Sequence, residues 1–414
     1  MIGKILLVAA LVTQMPDQVG HDTKGGFQAP DSVATDITQC DSVINAAIAD
    51  GNAPGAVLCV VQGDSIVYEK AYGNKRSYPK TEPMTVETVF DLASLSKCVG
   101  TTIAVMQLVE QGRLELDAPV DQYLPDFAPW QDSTSIERIT VRQLMTHTSG
   151  LAPVARVLEL GRRHADNKPE MLRAYILKEH ERRAKPGTRL IYSCPNFITL
   201  QYIVEELTGE RLCDYARAHI FDALGLQHTC YFPTDERIPK ATRATIAPTE
   251  VIWRRKTDPQ QFGRHVRWRK ALIGQVHDPT ARRFNMGNSG NAGVFSNAED
   301  LAVLCAALMN GGEYNGRRIL RPETVELMFT VQEGAFGRML GWDAESGSAG
   351  FAKPFAPDRV ACHTGYTGTS IVMDLDRRIA VILLANRVHP RDEGGLAKTR
   401  RAVSEIVAES LKND

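Results

Sequence analysis

Three short stretches carry residues whose types and spacing can perform acyl transfer. The first is Phe90-Asp91-Leu92-Ala93-Ser94-Leu95-Ser96-Lys97. Ser94 and Lys97 stand three apart, so at the start of a helix they share one face. Serine is a poor nucleophile at neutral pH and needs a base. Lysine serves as that base where burial or neighbouring positive potential lowers its pKa. A helix N-terminus helps twice: its free N–H groups stabilise charge on an attacked carbonyl oxygen, and its dipole disfavours an ammonium nearby. Taken alone, a serine in this place reads more readily as a helix cap.

The second stretch is Pro186-Gly187-Thr188-Arg189-Leu190-Ile191-Tyr192-Ser193-Cys194-Pro195-Asn196-Phe197. A Pro-Gly turn, a short extended piece and a helix start put Tyr192 in a loop, where a phenol near a lysine can relay a proton to a leaving group. A half-buried structural tyrosine fits the same residues. The third is Cys362-His363-Thr364-Gly365-Tyr366-Thr367-Gly368-Thr369, at the opening of a β-branched strand. Gly365 and Gly368 permit close backbone approach, and an exposed N–H here can complete an oxyanion hole. A sheet edge with a turn accounts for it equally well in isolation.

Elements at both ends of the chain must position these stretches. Asp41 to Ile48 spaces Val43, Ile44, Ala47 and Ile48 as an amphipathic helix that Gly51 and Pro54 end. Gly55 to Val61 reads as a buried strand, Gly63-Asp64 as a turn and Ser65 to Tyr72 as a second strand, so the sheet begins as an antiparallel hairpin. Val99 to Gln111 is apolar around most of its circumference, which predicts a buried helix stopped at Gly112. From there to about residue 230 the chain reads as helices and loops, with helices at Val141 to Thr146, Met171 to Glu179 and Phe197 to Leu207. Strands return at Gly368 to Leu375 and Ile379 to Asn386, and Ala397 to Leu411 forms a helix with Val403, Ile406, Val407 and Leu411 on one face. The fold class expected is α/β: an antiparallel sheet flanked by helices, built from both termini, with an inserted, mostly helical lobe. The expected division is 1–38 as leader and polar linker, 39–93 plus 290–414 as the α/β lobe, and 94–289 as the helical lobe.

In their order and distances, the three stretches resemble the serine hydrolases that comprise class C β-lactamases, D-alanyl-D-alanine carboxypeptidases and family VIII carboxylesterases. That family carries Ser-x-x-Lys, then Tyr-x-Asn, then Lys-Thr-Gly or His-x-Gly. Leu144-Met145-Thr146-His147-Thr148-Ser149-Gly150-Leu151 and Gly293-Val294-Phe295-Ser296-Asn297-Ala298-Glu299-Asp300-Leu301 are similar to two further family stretches, and the likeness spans about residues 40 to 410. It implies a β-lactamase/transpeptidase-like fold with no cofactor. It implies Ser94 as nucleophile, Lys97 as its base partner and Tyr192 as the residue sharing proton transfer in acylation and activating water in deacylation. His363 stands in the place of the third motif's cation, and the N–H groups of Ser94 and Tyr366 form the oxyanion hole. Cys194, Asn196, Thr364, Gly365 and Tyr366 are the expected substrate contacts.

Two departures bear on substrate. Cys194 stands where the second motif has Asn, and it has no amide to offer; Asn196 lies two residues on, where helix geometry points it elsewhere. His363 replaces lysine, and imidazole is mostly neutral at pH 7. Both changes weaken recognition of the carboxylate-bearing β-lactams and D-Ala-D-Ala peptides and are tolerable in an esterase or amidase acting on a neutral acyl group. The rival expectation is a penicillin-binding or muropeptide-sensing protein with little turnover.

The rest of the sequence narrows the setting. With 48 basic and 49 acidic residues among 414, the net charge of −1 gives no reason to expect nucleic acid as a partner. The basic, aromatic stretch from Trp253 to Lys270 can stack on bases, but in a chain of balanced charge it reads as a loop walling the site or facing an anionic cell-wall fragment. Eight scattered cysteines form no Cys-x-x-Cys pair, and several sit in apolar runs as buried thiols. His147, His277, Asp278 and His389 match no metal-ligand spacing. Lys4 followed by the apolar run Ile5 to Val12 has the length of a signal-peptide core, so export to the periplasm or outside the cell is the expectation, with cytoplasmic residence the alternative. No other segment approaches the ~18–20 apolar residues of a membrane span. The expected partner is a small ester, amide or cell-wall-derived molecule.

Overall fold

A computed structural model of the chain describes residues 36–163, 166, 168–232, 240–255 and 266–412. The apolar run Ile5 to Val12 and the expected leader up to residue 35 lie outside the described residues, as does the 256–265 loop of the basic stretch.

The elements that frame the site are α1 (Cys40–Ala49), β1 (Gly55–Gln62), β2 (Ser65–Arg76), β3 (Glu82–Pro83), α2 (Ile103–Glu110), α3 (Cys194–Thr208), α4 (Ala298–Met309), β4 (Val360–Thr364), β5 (Ser370–Asp374), β6 (Ile379–Ala385) and α5 (Ala397–Ser410). They build one six-stranded sheet in the order β4-β5-β6-β1-β2-β3. Its long pairings are antiparallel: Ala56 to Gln62 pair with Ala385 to Ile379, and the same strand pairs with β2 across the Gly63 turn. The two chain ends therefore meet in the sheet centre, as the sequence pattern predicts.

β1 is apolar and buried from Gly55 to Val61 because both faces are covered. Ala56, Leu58 and Val60 pack with Val372, Val381, Leu383 and the buried faces of α1 and α5, notably Ile44, Val403 and Val407. Val57, Cys59 and Val61 point the other way into the main core with Ile371, Ile382, Leu384 and Leu301, Leu304 and Cys305 of α4. That core continues without a break into α2 and α3 through Ile103, Met106, Leu108, Phe197, Leu200 and Ile203. Burying each such side chain contributes on the order of 1.5–3 kcal/mol, so the sheet and helices hold one another rigidly beneath the site. The eight cysteines are unpaired, seven of them buried and Cys194 partly exposed.

The structure differs from the sequence expectation in two places that matter. The helix after Ser94 begins earlier than Val99: Lys97–Thr102 form a wide π-turn, all six residues buried, that runs into α2. The third stretch does not merely open a strand. Residues 360–364 are themselves the edge strand β4, paired with β5 so that His363 lies opposite Ile371. This strand is only five residues long, and its period-2 pattern is masked because every residue but Thr364 is buried.

Candidate active site

Ser94 is delivered by a short strand and a strained turn. Phe90–Asp91 pairs with Ser296–Phe295, which explains why the Gly293 to Leu301 stretch lies close to the serine in space. Ala93 then takes φ 47°, a left-handed conformation that costs a non-glycine residue on the order of 1–3 kcal/mol. Asp91, itself 2% exposed, stabilises the turn: its Oδ1 accepts from Ala93 N at 2.9 Å and its Oδ2 from His277 N at 2.7 Å. Ser94 Oγ does not cap the helix. It accepts instead from Lys97 Nζ at 3.0 Å, and Nζ also donates to the Asn291 carbonyl at 2.9 Å.

The third stretch packs directly on this segment. Thr367 Oγ1 donates to Asp91 O at 2.6 Å and Thr369 Oγ1 to Leu92 O at 3.1 Å. A Cβ on Gly365 would run into Leu92 O and Thr369 Oγ1, so only glycine lets the turn approach the serine. Gly368 adopts φ 124°, again reserved for glycine. The turn brings Tyr366 to the rim, 56% exposed. Its ring is stacked against His277 at 5.7 Å and covered by the Arg387 guanidinium at 4.6 Å, and its hydroxyl donates to Asp392. Among the described residues, no backbone acceptor takes the N–H of Ser94 or of Tyr366.

Tyr192 sits beside the serine–lysine pair, its ring centroid 5.2 Å from Lys97 Nζ. Its loop is held from below by His147, a residue sequence reasoning weighed only as a metal candidate. The His147 carbonyl accepts from Ile191 N at 2.9 Å and its Nδ1 from Ser193 N at 3.1 Å, clamping both neighbours of the tyrosine. The two rings lie 4.3 Å apart. His147 makes this double contact by adopting φ 60°. The His363 ring lies 6.0 Å from that of Tyr192.

Cys194 begins α3 and directs its thiol toward Lys97 and Asn291, in the same group as Ser94 and Tyr192. Asn196 corrects the expectation of a substrate contact. It is fully buried, with Oδ1 accepting from Ser149 Oγ at 2.6 Å and Nδ2 shared with His147 Nδ1 at 3.1 Å. One turn into the helix it faces the core, where it braces His147. Thr364 ends β4 and offers its carbonyl to His363 Nδ1 at 2.9 Å.

The electrostatics of the group also differ from the expectation that burial lowers Lys97. Burial does work against the ammonium, but the ionisable Cys194 thiol and Tyr192 phenol more than offset it and hold Lys97 above its ordinary value. Burial pushes the Cys194 thiol up, with Lys97 pulling it partly back, and does the same to the Tyr192 phenol, whose hydroxyl end faces Ser94 and Lys97 although the residue is 40% exposed. Burial thus favours the neutral thiol and the neutral phenol. His363 is pushed down to about 3 by burial first and then by the Arg338 and Lys97 charges, so it is an uncharged imidazole at neutral pH. Among the described residues no cluster of three or more His, Cys, Asp or Glu side chains is placed to hold a metal, and no helix is long and apolar enough to cross a membrane.

Sequence reasoning missed His147 and Asn291. His147 lay inside the Leu144 to Leu151 stretch but gave no sign of its contacts. Asn291 meets Lys97 through its backbone carbonyl, which no residue type encodes, and the Cys194 thiol through its side chain.

Residues 40–405 match the Beta-lactamase family model. The chain is 30% identical over 404 residues to the N-acetylmuramyl-L-alanine amidase of Bacillus subtilis (strain 168), covering 90% of this chain and 88% of that protein. It is 31% identical over 352 residues to a provisionally named D-alanyl-D-alanine carboxypeptidase of Escherichia coli (strain K12), covering 81% of this chain and 79% of that one. Among solved structures, EstCE1, a hydrolase with promiscuous acyltransferase activity, superposes with a TM-score of 0.68 at 24% identity over 91% of this chain and 98% of its own. A class C β-lactamase does so with a TM-score of 0.66 at 19% identity over 94% and 99%. At these identities the structural likenesses establish the fold, and the family match with the curated relatives establishes membership. The chain belongs to the Beta-lactamase family of serine hydrolases.

Proposed function

We propose that this chain hydrolyses an ester or amide of a neutral acyl group through an acyl-enzyme on Ser94. The observation that carries the proposal is the convergence of Ser94 Oγ, Lys97 Nζ and Tyr192 on one another, with Lys97 Nζ 3.0 Å from Ser94 Oγ. Lys97 and Tyr192 titrate as a unit. Removing one proton from the pair leaves either amine with phenol or ammonium with phenolate, and both forms can take the Ser94 proton. The serine oxygen then bonds to the substrate carbonyl carbon. The resulting oxyanion lies against the N–H groups of Ser94 and Tyr366, donors each worth about 10²–10³ in rate in comparable sites. Collapse breaks the bond to the leaving group, which takes the proton from the Lys97–Tyr192 pair. Water, deprotonated by the same pair, attacks the ester carbonyl on Ser94; the bond from that carbon to Ser94 Oγ breaks, the pair returns its proton to Oγ, and the acid is freed.

The substrate class follows from His363 and Cys194. A neutral imidazole gives no fixed charge to a substrate carboxylate, and a thiol gives no amide donor–acceptor pair. We infer a preference for simple esters or amides over β-lactams. The relatives' names, a muramyl amidase and a D-Ala-D-Ala carboxypeptidase, support a cell-wall-derived substrate and a place outside the cytoplasm. We also propose that the cleft lies between the lobe of residues 39–93 with 290–414 and the helical lobe of residues 94–289. Rates on p-nitrophenyl butyrate, nitrocefin and a D-Ala-D-Ala peptide test the substrate reading. Fastest turnover of the ester supports it; a nitrocefin or peptide rate far above the ester overturns it. An acyl-enzyme persisting for hours would favour the penicillin-binding alternative.

A further inference from the structure

Asp91 places a carboxyl group in the core beneath the nucleophile, 2% exposed. Each of its oxygens meets a backbone N–H: Oδ1 accepts from Ala93 at 2.9 Å and Oδ2 from His277 at 2.7 Å. Its own carbonyl accepts from Thr367 Oγ1 at 2.6 Å. A buried carboxyl group is unfavourable unless its hydrogen bonds are well made. Here those bonds run to three separate segments of the chain, so the residue is best understood by what it joins.

The three segments carry or support the two N–H groups of the oxyanion hole. Ala93, in its left-handed turn, immediately precedes Ser94. Thr367, 1% exposed, immediately follows Tyr366, and its carbonyl accepts from Arg387 N at 2.8 Å. His277 bears the ring stacked on Tyr366, the two planes 19° apart. The turn around His277 is braced from within. Arg282 Nη1 donates to the carbonyls of Val276 and His277 at 2.5 and 2.6 Å, and Asp278 Oδ1 accepts from Ala281 N at 2.7 Å. Oδ1 of Asp91 thus fixes the turn that presents the Ser94 N–H. Its carbonyl holds the turn that presents the Tyr366 N–H, and Oδ2 holds the stiff turn on which the Tyr366 ring rests.

We propose that Asp91 is a positioning residue for the oxyanion hole, fixing the Ser94 and Tyr366 N–H groups relative to each other through its side chain and its carbonyl. The inference rests on the acyl-enzyme reading of Ser94. Oxyanion donors act on charge that develops in the transition state, where their distance to the oxygen decides their effect. A displacement of about 1 Å costs such a site about 10²-fold in rate. A ground-state ester, whose carbonyl carries little charge, binds almost as before. Loosening this brace therefore weakens the binding of a tetrahedral adduct far more than the binding of substrate.

The test compares wild type with D91N, T367V and T367S. The measurements are kcat and KM on p-nitrophenyl butyrate, the affinity of n-butylboronic acid, which adds to a serine oxygen as a tetrahedral adduct, and Tm. Asparagine keeps the size of Asp91 but sets its NH₂ against the N–H of Ala93 or of His277. D91N is expected to lose about 10²-fold in kcat and in boronate affinity alike, with KM held within about 3-fold. T367V, lacking the hydroxyl on the Asp91 carbonyl, is expected to lose about 10-fold in the same two quantities. T367S keeps that hydroxyl and restores both. Should D91N fail to fold, T367V against T367S decides alone. Boronate affinity unchanged in a folded D91N, a loss confined to KM or Tm, or equal boronate affinity in T367V and T367S overturns the proposal. If Ser94 were not the nucleophile, the wild type would take no fluorophosphonate label and its boronate binding would survive Ser94→Ala. Failure of the Asp91 proposal leaves the wild type labelled, so the two readings fail separately.

Discussion

His147→Leu removes the clamp under Tyr192, and the structure sets the size of the effect. The Ser193 N–H loses its acceptor at 3.1 Å and the Asn196 amide loses its partner at 3.1 Å, both among fully buried residues. Each donor left unsatisfied costs about 1–3 kcal/mol. Leucine at φ 60° adds roughly 1–2 kcal/mol, and the retained apolar packing offsets part of this. A net loss of about 3–6 kcal/mol follows. With an unfolding entropy of about 2.1 cal/mol/K per residue over 414 residues, that corresponds to a fall in Tm of about 3–7 °C. His147→Asn is the control: asparagine tolerates positive φ and its Oδ1 can accept near the place of Nδ1. Differential scanning calorimetry and p-nitrophenyl butyrate kinetics read the outcome. The leucine variant should lose about 10²-fold in kcat with KM little changed, because Tyr192 is misplaced and not removed; the asparagine variant should keep most of both. Equal Tm and kcat in the two variants would refute the clamp.

Other outcomes follow from the same geometry. Gly365→Ala forces a Cβ into Leu92 O and Thr369 Oγ1, so the Tyr366 N–H shifts and kcat should fall about 10²–10³-fold, with a loss of about 1–3 kcal/mol in stability from overpacking, read by calorimetry. Cys194→Asn restores an amide beside Lys97 and should raise kcat/KM about 10-fold for substrates with a side-chain amide relative to p-nitrophenyl butyrate; no change in that ratio would remove Cys194 from substrate selection. Because His363 is held at about 3, below its free value, protons bind it less readily in the folded chain than in the unfolded one. It therefore opposes acid stability: as pH falls below about 6.5 the unfolded chain takes up the proton first, and stability should drop between pH 6 and 4. His363→Asn should flatten that part of a Tm-against-pH curve.

The sheet was legible because apolar runs such as Val57 to Val61 and Ile379 to Leu384 announce strands covered on both faces. The Ser94, Lys97 and Tyr192 cluster was legible through residue type and order. What stayed hidden was set by atoms that residue types do not encode. Asn291 contributes a carbonyl, and His147 acts through a backbone clamp and a positive φ. The balance of charges around the lysine stayed hidden for the same reason. A helix N-terminus and burial are visible in sequence, whereas the opposing thiol and phenol act only once the fold brings them to Nζ.

Covalent labelling of Ser94 tests the central claim most directly. Intact-protein mass spectrometry after exposure to a fluorophosphonate should show one adduct on the wild type and none on Ser94→Ala. An unlabelled wild type, or an adduct that survives in Ser94→Ala, would contradict the assignment of Ser94 Oγ, held 3.0 Å from Lys97 Nζ, as the nucleophile.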